Sequence, residues 1–312
     1  MLLAGIDIGT LTCRLLIGRV SEDGRLTEVH SDRRILRLGE GVDRDHLLRP
    51  AAIARVVETL RDWRTVINSH HVDAQIAVAT SAVRNARNRE EFLGRVMQEV
   101  GFEVEVISGG EEARRTLLGI RSGLPAGVTT ILGLDIGGGS TEFILDRPGH
   151  APVMHSIEIG VVRLTERLLT QDPPAPDQIR AARELIMKET EQIKPVLGTL
   201  AGTTLVGTAG SITTLAAMAQ KLSTYEPLRI HNYRLSLDTI RALEREILGR
   251  TKAQRREMPG LETGREEVIV AGVLILRGVM ETLGFTEGLV SDLGLREGIL
   301  LDLAAHRRRS NG

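Results

Sequence analysis

The stretch Leu134-Asp135-Ile136-Gly137-Gly138-Gly139-Ser140-Thr141-Glu142 decides the fold of this chain. Apolar runs precede it at 130–134 and follow it at 143–145, so the pattern predicts two buried strands joined by a tight glycine turn. Glycines allow a ligand to approach the backbone closely, and consecutive N–H groups in such a turn form an anion site. Ser140 and Thr141 add hydroxyl donors. Asp135 and Glu142 supply carboxylates, which bind the hard divalent cations that accompany phosphate groups. An ordinary β-hairpin would not need three glycines between two such residues.

The N-terminus repeats this motif. Gly5-Ile6-Asp7-Ile8-Gly9-Thr10 has the pattern of Gly133-Leu134-Asp135-Ile136-Gly137-Gly138, and an apolar run follows it at 15–18. The two motifs lie roughly one domain length apart. Their repetition therefore predicts a duplicated fold in which each domain opens with a glycine turn. Two such hairpins facing each other would clamp a phosphate chain and its metal ion from both sides.

Composition limits the class of protein. The chain has 312 residues, is 42% hydrophobic and only 2% aromatic, which predicts about two domains with aliphatic cores. Its net charge of −1 argues against a protein that coats nucleic acid. One cysteine, Cys13, excludes an internal disulfide and a thiolate zinc site. The first apolar run breaks at Asp7 and no run reaches membrane-spanning length, so we expect a cytoplasmic protein without a membrane partner.

Three further segments carry candidate site residues. Arg84 follows a predicted strand at 73–79, and the carboxyl ends of strands in open α/β sheets bind ligands, so we expect it to contact phosphate. Glu111 and Glu112 begin a helix after another strand, where they either cap the helix or reach a bound phosphate. The turn at 207–211 opens a further helix and suits a phosphate or nucleotide contact. A breaker cluster at 122–127 is the predicted hinge between domains.

Together these motifs resemble the exopolyphosphatase / guanosine pentaphosphate phosphohydrolase (Ppx/GppA) family, and they occur in the family order over nearly the whole chain. The matching segments are Asp7-Ile8-Gly9-Thr10, Leu38-Gly39-Glu40-Gly41, Ala79-Thr80-Ser81-Ala82-Val83-Arg84, Ser108-Gly109-Gly110-Glu111-Glu112-Ala113, Asp135-Ile136-Gly137-Gly138-Gly139-Ser140-Thr141-Glu142, Gly160-Val161-Val162-Arg163-Leu164, Gly207-Thr208-Ala209-Gly210-Ser211 and Ser291-Asp292-Leu293-Gly294-Leu295-Arg296-Glu297-Gly298.

The resemblance implies an α/β protein with the actin-like, ribonuclease-H-type ATPase fold (the ASKHA fold), duplicated into two domains around an interdomain cleft. We expect an N-terminal ribonuclease-H-like domain at 1–124 and a C-terminal one at 125–294. In the family a final helix, here at about 295–306, packs back on the first domain. The chain is similar to the short, two-domain members.

The resemblance also implies roles for individual residues. Glu111 matches the catalytic base that activates water, although only the register distinguishes it from Glu112. Asp135 and Glu142 match the acidic residues that hold a divalent metal, Mg²⁺ or Mn²⁺, and orient the water, and Asp7 is the third expected ligand. The expected phosphate contacts are Gly9, Thr10, Thr12, Arg84, Gly137, Gly138, Gly139, Ser140, Gly207, Gly210 and Ser211. Leu11 departs from the family, which usually has Asn there.

The expected activity is that of an exopolyphosphatase, which removes the terminal phosphate of inorganic polyphosphate by metal-assisted attack of water. A guanosine pentaphosphate (pppGpp) 5'-phosphohydrolase is the alternative, and it would also need a guanine pocket. An actin-like ATP-binding switch, a sugar kinase or a non-catalytic polyphosphate sensor are alternatives of another class. No nucleic-acid partner is expected. A homodimer is compatible with the sequence, which does not fix the oligomeric state.

Overall fold

The computed structural model describes the backbone of residues 1–311 and the side chains up to residue 309. The strands are β1 (Leu2–Ile8), β2 (Thr12–Val20), β3 (Leu26–Ile35), β4 (Ala74–Ala79), β5 (Val104–Val106), β6 (Ile131–Ile136), β7 (Thr141–Asp146), β8 (Val153–Ile157), β9 (Thr204–Thr208), β10 (Arg234–Ser236) and β11 (Glu287–Val290). The helices are α1 (Val42–Asp45), α2 (Pro50–Ser69), α3 (Ser81–Arg84), α4 (Arg89–Val100), α5 (Gly109–Gly123), α6 (Val161–Leu168), α7 (Pro176–Leu197), α8 (Ala209–Ala219), α9 (Pro227–Ile230), α10 (Leu237–Leu248), α11 (Lys252–Arg256), α12 (Ile269–Leu283) and α13 (Leu295–Asn311).

The described chain divides into two compact units. Unit 1 comprises Met1–Ser122 together with the residues from Gly294 onward, and unit 2 comprises Gly123–Leu293. Unit 1 therefore contains α13 as well as the elements from β1 to α5. Among the described helices, none combines the length and the apolar character needed to cross a membrane.

Each unit is built on one mixed sheet, and the two sheets share one topology. The strand order is β3-β2-β1-β4-β5 in unit 1 and β8-β7-β6-β9-β11 in unit 2, where β10 adds an antiparallel edge beside β11. In both sheets the first three strands form an antiparallel meander, and the last two run parallel to the first. The predicted α/β class and the predicted duplication are confirmed. The glycine turns occupy equivalent places, because each joins the first strand of its sheet to the second.

The sheet of unit 1 is covered on both faces. Alternate residues of β1, such as Ile6 and Ile8, belong to the core formed with α2 and α4, where Trp63 is fully buried. Helix α13 covers the other face, and its Leu300 packs with Leu3. The contact between α13 and α5 is close enough to require glycine, because a Cβ on Gly298 would lie 1.7 Å from a backbone oxygen of α5. The face that carries α13 also carries Asp7, since Asp7 alternates with Ile6 and Ile8 along β1.

The core of unit 2 is organised around α12. The first half of this helix, from Ile269 through Leu276, is apolar on every side and buried, as expected for a helix surrounded by protein. It packs against α6, α7, α8 and α10. Packing against α12 positions α6 and α8. The N-terminal ends of these two helices follow directly on glycine-containing segments of the candidate site.

Candidate active site

The first glycine turn joins β1 to β2 in unit 1. It is closed by a hydrogen bond from the Gly9 N–H to the Thr12 carbonyl of 3.1 Å. Asp7 is buried at the end of β1 and lies opposite Arg14 in the strand register. Arg14 Nη1 donates to Asp7 Oδ2 at 3.1 Å, while Oδ1 is buried and has no hydrogen-bond partner in the described chain. Burial raises the pKa of Asp7, and the charge of Arg14 acts in the opposite direction.

The carbonyl groups of this turn are bound by a neighbouring segment. The Gly39 N–H donates to the Thr10 carbonyl at 2.9 Å, and the N–H groups of Leu36 and Arg37 both donate to the Leu11 carbonyl at 2.9 Å. The fit around Gly39 is tight, because a Cβ there would lie 2.2 Å from the Thr10 methyl group and would force that side chain to move. Leu11 is itself buried, so the residue that departs from the family pattern contributes packing where the usual asparagine would contribute polar groups.

Arg84 and Glu112 meet in unit 1. Arg84 ends α3, the short helix that follows β4, and Glu112 lies in the first turn of α5. Arg84 Nη1 donates to the Ile107 carbonyl at 2.9 Å and to Glu112 Oε2 at 3.1 Å. Its Nη2 atom is buried and has no hydrogen-bond partner among the described residues. A buried guanidinium donor left in this state is costly, and an anionic oxygen would satisfy it.

Glu111 has different neighbours. Arg114 Nε donates to Glu111 Oε2 at 2.8 Å, and Arg114 Nη2 donates to Oε1 at 2.7 Å. Arg115 Nε lies 2.7 Å from the same Oε1. The same two arginines contact Asp302 of α13. The hydrogen bonds from Arg114 hold the pKa of Glu111 below its ordinary value. Glu111 therefore belongs to an ion-pair network between α5 and α13.

The second glycine turn joins β6 to β7 in unit 2. Gly137 donates to the Ser140 carbonyl at 3.0 Å, which repeats the closure of the first turn. Asp135 lies directly opposite Glu142 in the strand register, and the two are 7% and 0% exposed. Ser156 of β8 donates to Glu142 Oε1 at 2.8 Å. The corresponding positions of unit 1 hold Asp7 and Arg14, so only unit 2 places two carboxylates at this site.

The carboxylate pair suits a hard divalent cation. Like charges directly opposite each other in a sheet repel, and a bound cation removes that repulsion. Among the described residues, no group of three or more His, Cys, Asp or Glu side chains could hold a metal ion. Asp135 and Glu142 would therefore provide two ligands from unit 2, and the remaining positions would be open to water and phosphate oxygens. Mg²⁺ is commonly bound in this way.

The start of α6 packs against the second glycine turn. A Cβ on Gly160 would lie 2.4 Å from the Gly138 carbonyl carbon and from the Gly139 nitrogen, so only glycine fits there. The first N–H groups of α6 donate to carbonyls of the turn, and Arg163 Nε donates to the Gly139 carbonyl at 2.9 Å. The N–H groups of Gly138, Gly139 and Ser140 are not taken up by hydrogen bonds within the described chain. The motif at 160–164 is visible in the sequence, but its contact with the glycine turn is not.

The third glycine turn lies beside the second, because β6 and β9 are adjacent and Asp135 pairs with Thr208. Gly210 and Ser211 begin α8, and Ser211 is buried. A Cβ on Gly210 would lie 1.9 Å from Arg265 Nη2, so a buried arginine fills the space over this turn. Ala209 has a φ of 70°, an uncommon conformation for a residue other than glycine. The sequence predicted the turn but not the arginine, which comes from a distant part of the chain.

The predicted residues thus form clusters within the units. Unit 1 holds the hairpin with Asp7, Gly9, Thr10 and Thr12, and it also holds the Arg84–Glu112 pair. Unit 2 holds the hairpin from Asp135 to Glu142 and the adjacent turn with Gly207, Gly210 and Ser211. All these turns follow the carboxyl ends of β1, β4, β6 and β9, which is where open α/β sheets bind ligands.

Residues 16–307 match the model of the Ppx/GppA phosphatase family. Over 298 residues the chain is 36% identical to exopolyphosphatase 2 of Mycobacterium tuberculosis, with 92% of each protein covered. The crystal structure of the Ppx/GppA family member from Aquifex aeolicus is similar with a TM-score of 0.83 at 33% identity, covering 98% of both chains. Guanosine-5'-triphosphate,3'-diphosphate pyrophosphatase of Aeromonas hydrophila is 28% identical, and that match covers 91% of this chain but 55% of the longer relative.

Proposed function

The chain belongs to the Ppx/GppA phosphatase family, and from this premise we propose that it hydrolyses the terminal phosphoanhydride of inorganic polyphosphate. The relative named exopolyphosphatase 2 supports this substrate, because it matches the chain over 92% of both lengths. One observation carries the proposal. Within the described part of the chain, Arg84 Nη2 is a buried donor without a hydrogen-bond partner, and Glu112 Oε2 lies 3.1 Å from Nη1 of the same arginine. A phosphoryl group needs such a donor, and its hydrolysis needs such a base.

We propose Glu112 as the general base, in place of the sequence-based choice of Glu111. Two arginines hold Glu111, and its pKa lies below the ordinary value, which makes it a weaker proton acceptor near neutral pH. Glu112 instead contacts Arg84, the arginine expected to bind the phosphate. A base must be within reach of the water that attacks that phosphate, so its position beside Arg84 favours Glu112.

Each glycine turn is a proposed phosphate-binding element of its own unit. In unit 2 the N–H groups of Gly138, Gly139 and Ser140 are the proposed donors, and in unit 1 the proposed phosphate contacts of the turn are Gly9, Thr10 and Thr12. We retain Asp7 as a predicted metal ligand, although its ion pair with Arg14 already neutralises it in part. Gly207, Gly210 and Ser211 remain predicted phosphate contacts. Asp135 and Glu142 would hold Mg²⁺ or Mn²⁺. When bound, this cation would neutralise part of the negative charge of the phosphates.

The residues of the chain then have the following roles in the reaction. Glu112 accepts a proton from the water whose oxygen attacks the terminal phosphorus. The bond from that phosphorus to the bridging oxygen breaks, which releases orthophosphate and a polyphosphate shorter by one unit. Arg84 Nη2 binds an equatorial oxygen of the phosphoryl group, where the transition state carries its charge.

Phosphate release from long-chain polyphosphate with Mg²⁺ tests the proposal, and Glu112→Gln and Glu111→Gln are a matched pair. Loss of a general base typically lowers the rate about 10²–10⁴-fold. We therefore expect a loss in this range for Glu112→Gln and at most about tenfold for Glu111→Gln, with circular dichroism as the control for folding. The reverse ranking would return the role to Glu111. Two variants with wild-type rates would overturn the assignment of a glutamate base.

Guanosine pentaphosphate is assayed in parallel. Faster release from this nucleotide than from polyphosphate would overturn the proposed substrate and favour the activity named for the Aeromonas hydrophila relative. Nucleotide binding without any release of phosphate would instead indicate a binding protein, such as an ATP-dependent switch. We expect neither result. Rapid loss of polyphosphate with little nucleotide turnover is the outcome that the proposal requires.

A further inference from the structure

We propose that Arg163 is a positioning residue that orients the glycine turn of unit 2 for binding phosphate. This inference rests on the proposed function, because it explains how the turn is held in a binding conformation. Arg163 lies in the first turn of α6 and its side chain is only 12% exposed. It has no expected contact with the substrate, so it acts through the backbone of the turn.

The first turn of α6 binds three successive carbonyls of the glycine turn. The Val161 N–H donates to the Gly137 carbonyl at 3.0 Å, and the Val162 N–H donates to the Gly138 carbonyl at 2.8 Å. For the carbonyl of Gly139, the bond comes from a side chain, Arg163 Nε, at 2.9 Å. The helix backbone thus binds the carbonyls of Gly137 and Gly138, and the side chain of Arg163 binds the next carbonyl, that of Gly139.

The direction of these carbonyls determines the direction of the N–H groups. In a trans peptide the C=O of one residue and the N–H of the next point in opposite directions from the same plane. Binding the carbonyls of residues 137–139 to α6 therefore directs the N–H groups of residues 138–140 away from α6. Those are the N–H groups without acceptors in the described chain, and they are the proposed phosphate donors.

The guanidinium group is itself fixed by a second partner. Arg163 Nη2 forms an ion pair with Glu158, which lies shortly before α6 in the sequence. The planar fork of arginine can hold a carboxylate and a carbonyl at the same time, whereas lysine offers a single point charge. The contact to Gly139 therefore depends on the shape of the arginine as well as on its charge.

The turn of unit 1 shows that this arrangement is specific to unit 2. There, backbone N–H groups of the segment from Leu36 to Gly39 bind the carbonyls of Thr10 and Leu11. In each unit, a glycine approaches the turn so closely that a Cβ would clash, namely Gly39 and Gly160. Both turns are thus held from one side by a neighbouring segment, and among the described contacts a side chain binds a carbonyl of the turn in unit 2 alone. A single substitution of that side chain therefore removes one of the hydrogen bonds that hold the glycine turn of unit 2.

Three variants test this role in the full-length protein: Arg163→Met, Arg163→Lys and the matched control Arg167→Met. Arg167 lies one turn further along α6 and is exposed, so its replacement removes the same charge from the same helix. Misplacement of a binding group by about 1 Å can reduce a rate about 100-fold. We expect kcat/KM for polyphosphate to fall roughly 10–100-fold in Arg163→Met, mainly through a higher KM, and by about tenfold in Arg163→Lys.

Binding of inorganic pyrophosphate, measured by calorimetry with Mg²⁺, separates this inference from the proposed function. Weaker binding in both Arg163 variants, with Arg167→Met at the wild-type value and unchanged thermal unfolding, supports the positioning role. Equal KM and equal binding in all variants overturn it. If Arg163→Met does not fold, Arg163→Lys decides by the same criteria. If the wild type binds pyrophosphate but releases no phosphate from polyphosphate, the proposed function fails. The pyrophosphate affinities of the variants would still test the role of Arg163.

Discussion

Replacing Glu142 by glutamine tests whether unit 2 carries a site for a divalent cation. The substitution removes one charge of the buried Asp135–Glu142 pair while keeping the size of the side chain. Glutamine also keeps an oxygen that can accept the hydrogen bond from Ser156. The change therefore removes one of two facing negative charges and weakens the ability of the pair to bind a cation.

The strand register sets the magnitude of the effect. Directly opposite residues have Cβ atoms about 5 Å apart, and two unit charges at that distance repel by about 3 kcal/mol at an effective dielectric constant of about 20. In EDTA we therefore expect Glu142→Gln to raise the free energy of unfolding of unit 2 by up to about 3 kcal/mol. Addition of Mg²⁺ at about 100 times its dissociation constant should stabilise the wild type by about 2.7 kcal/mol, and the variant by much less.

Urea unfolding in EDTA and in Mg²⁺ measures both quantities. The single tryptophan, Trp63, lies in unit 1, so its fluorescence reports on unit 1, and far-UV circular dichroism is needed to follow unit 2. Asp146→Asn is the matched control, because it removes one negative charge from the same strand, β7. The reasoning would be refuted if Glu142→Gln were no more stable than the wild type in EDTA and gained the same stability from Mg²⁺.

Two further predictions concern stability. Gly160→Ala places a Cβ 2.4 Å from the backbone of the glycine turn, so we expect a loss of about 1–3 kcal/mol or more in urea unfolding; Gly127→Ala, where nothing lies within 4 Å, should change the stability by less than about 0.5 kcal/mol. The pKa of Glu111 is lowered in the folded state by Arg114, so its contribution to stability is present above the unfolded pKa of about 4.3 and is lost as the pH falls through the folded pKa. Glu111→Gln should therefore be less stable than the wild type at pH 7 and approach it in strong acid; a difference that does not depend on pH would contradict this.

Local patterns were sufficient to predict the hairpins and the pairing within them. Apolar runs on both sides of a glycine turn predict two strands, and equal spacing around the turn places Asp135 opposite Glu142. The same spacing separates Asp7 from Arg14, so the sequence already contained the signal for that ion pair. Likewise, the arginines three and four residues after Glu111 are a helical ion-pair pattern. That pattern could have indicated that Glu111 is engaged and that Glu112 is the better candidate for the base.

Contacts between distant segments could not be predicted in this way. Arg265 reaches Gly210 from the segment before α12, and Arg163 reaches Gly139 from the start of α6. Each contact depends on how a helix packs against the sheet, and hydrophobic periodicity gives the existence of a helix but not its placement. The added edge strand β10 is also a result of tertiary packing, since only three residues form it.

The two hairpins share one backbone design and differ in the charge opposite the first aspartate. In unit 1 Arg14 faces Asp7, which neutralises the pair within the chain. In unit 2 Glu142 faces Asp135, so two carboxylates stand where unit 1 has a carboxylate and a guanidinium. Because topology and turn closure are the same, this one difference argues for a division of roles after duplication. We therefore assign the proposed cation site to unit 2, whereas the arginine and the glutamate proposed to bind phosphate and to activate water belong to unit 1.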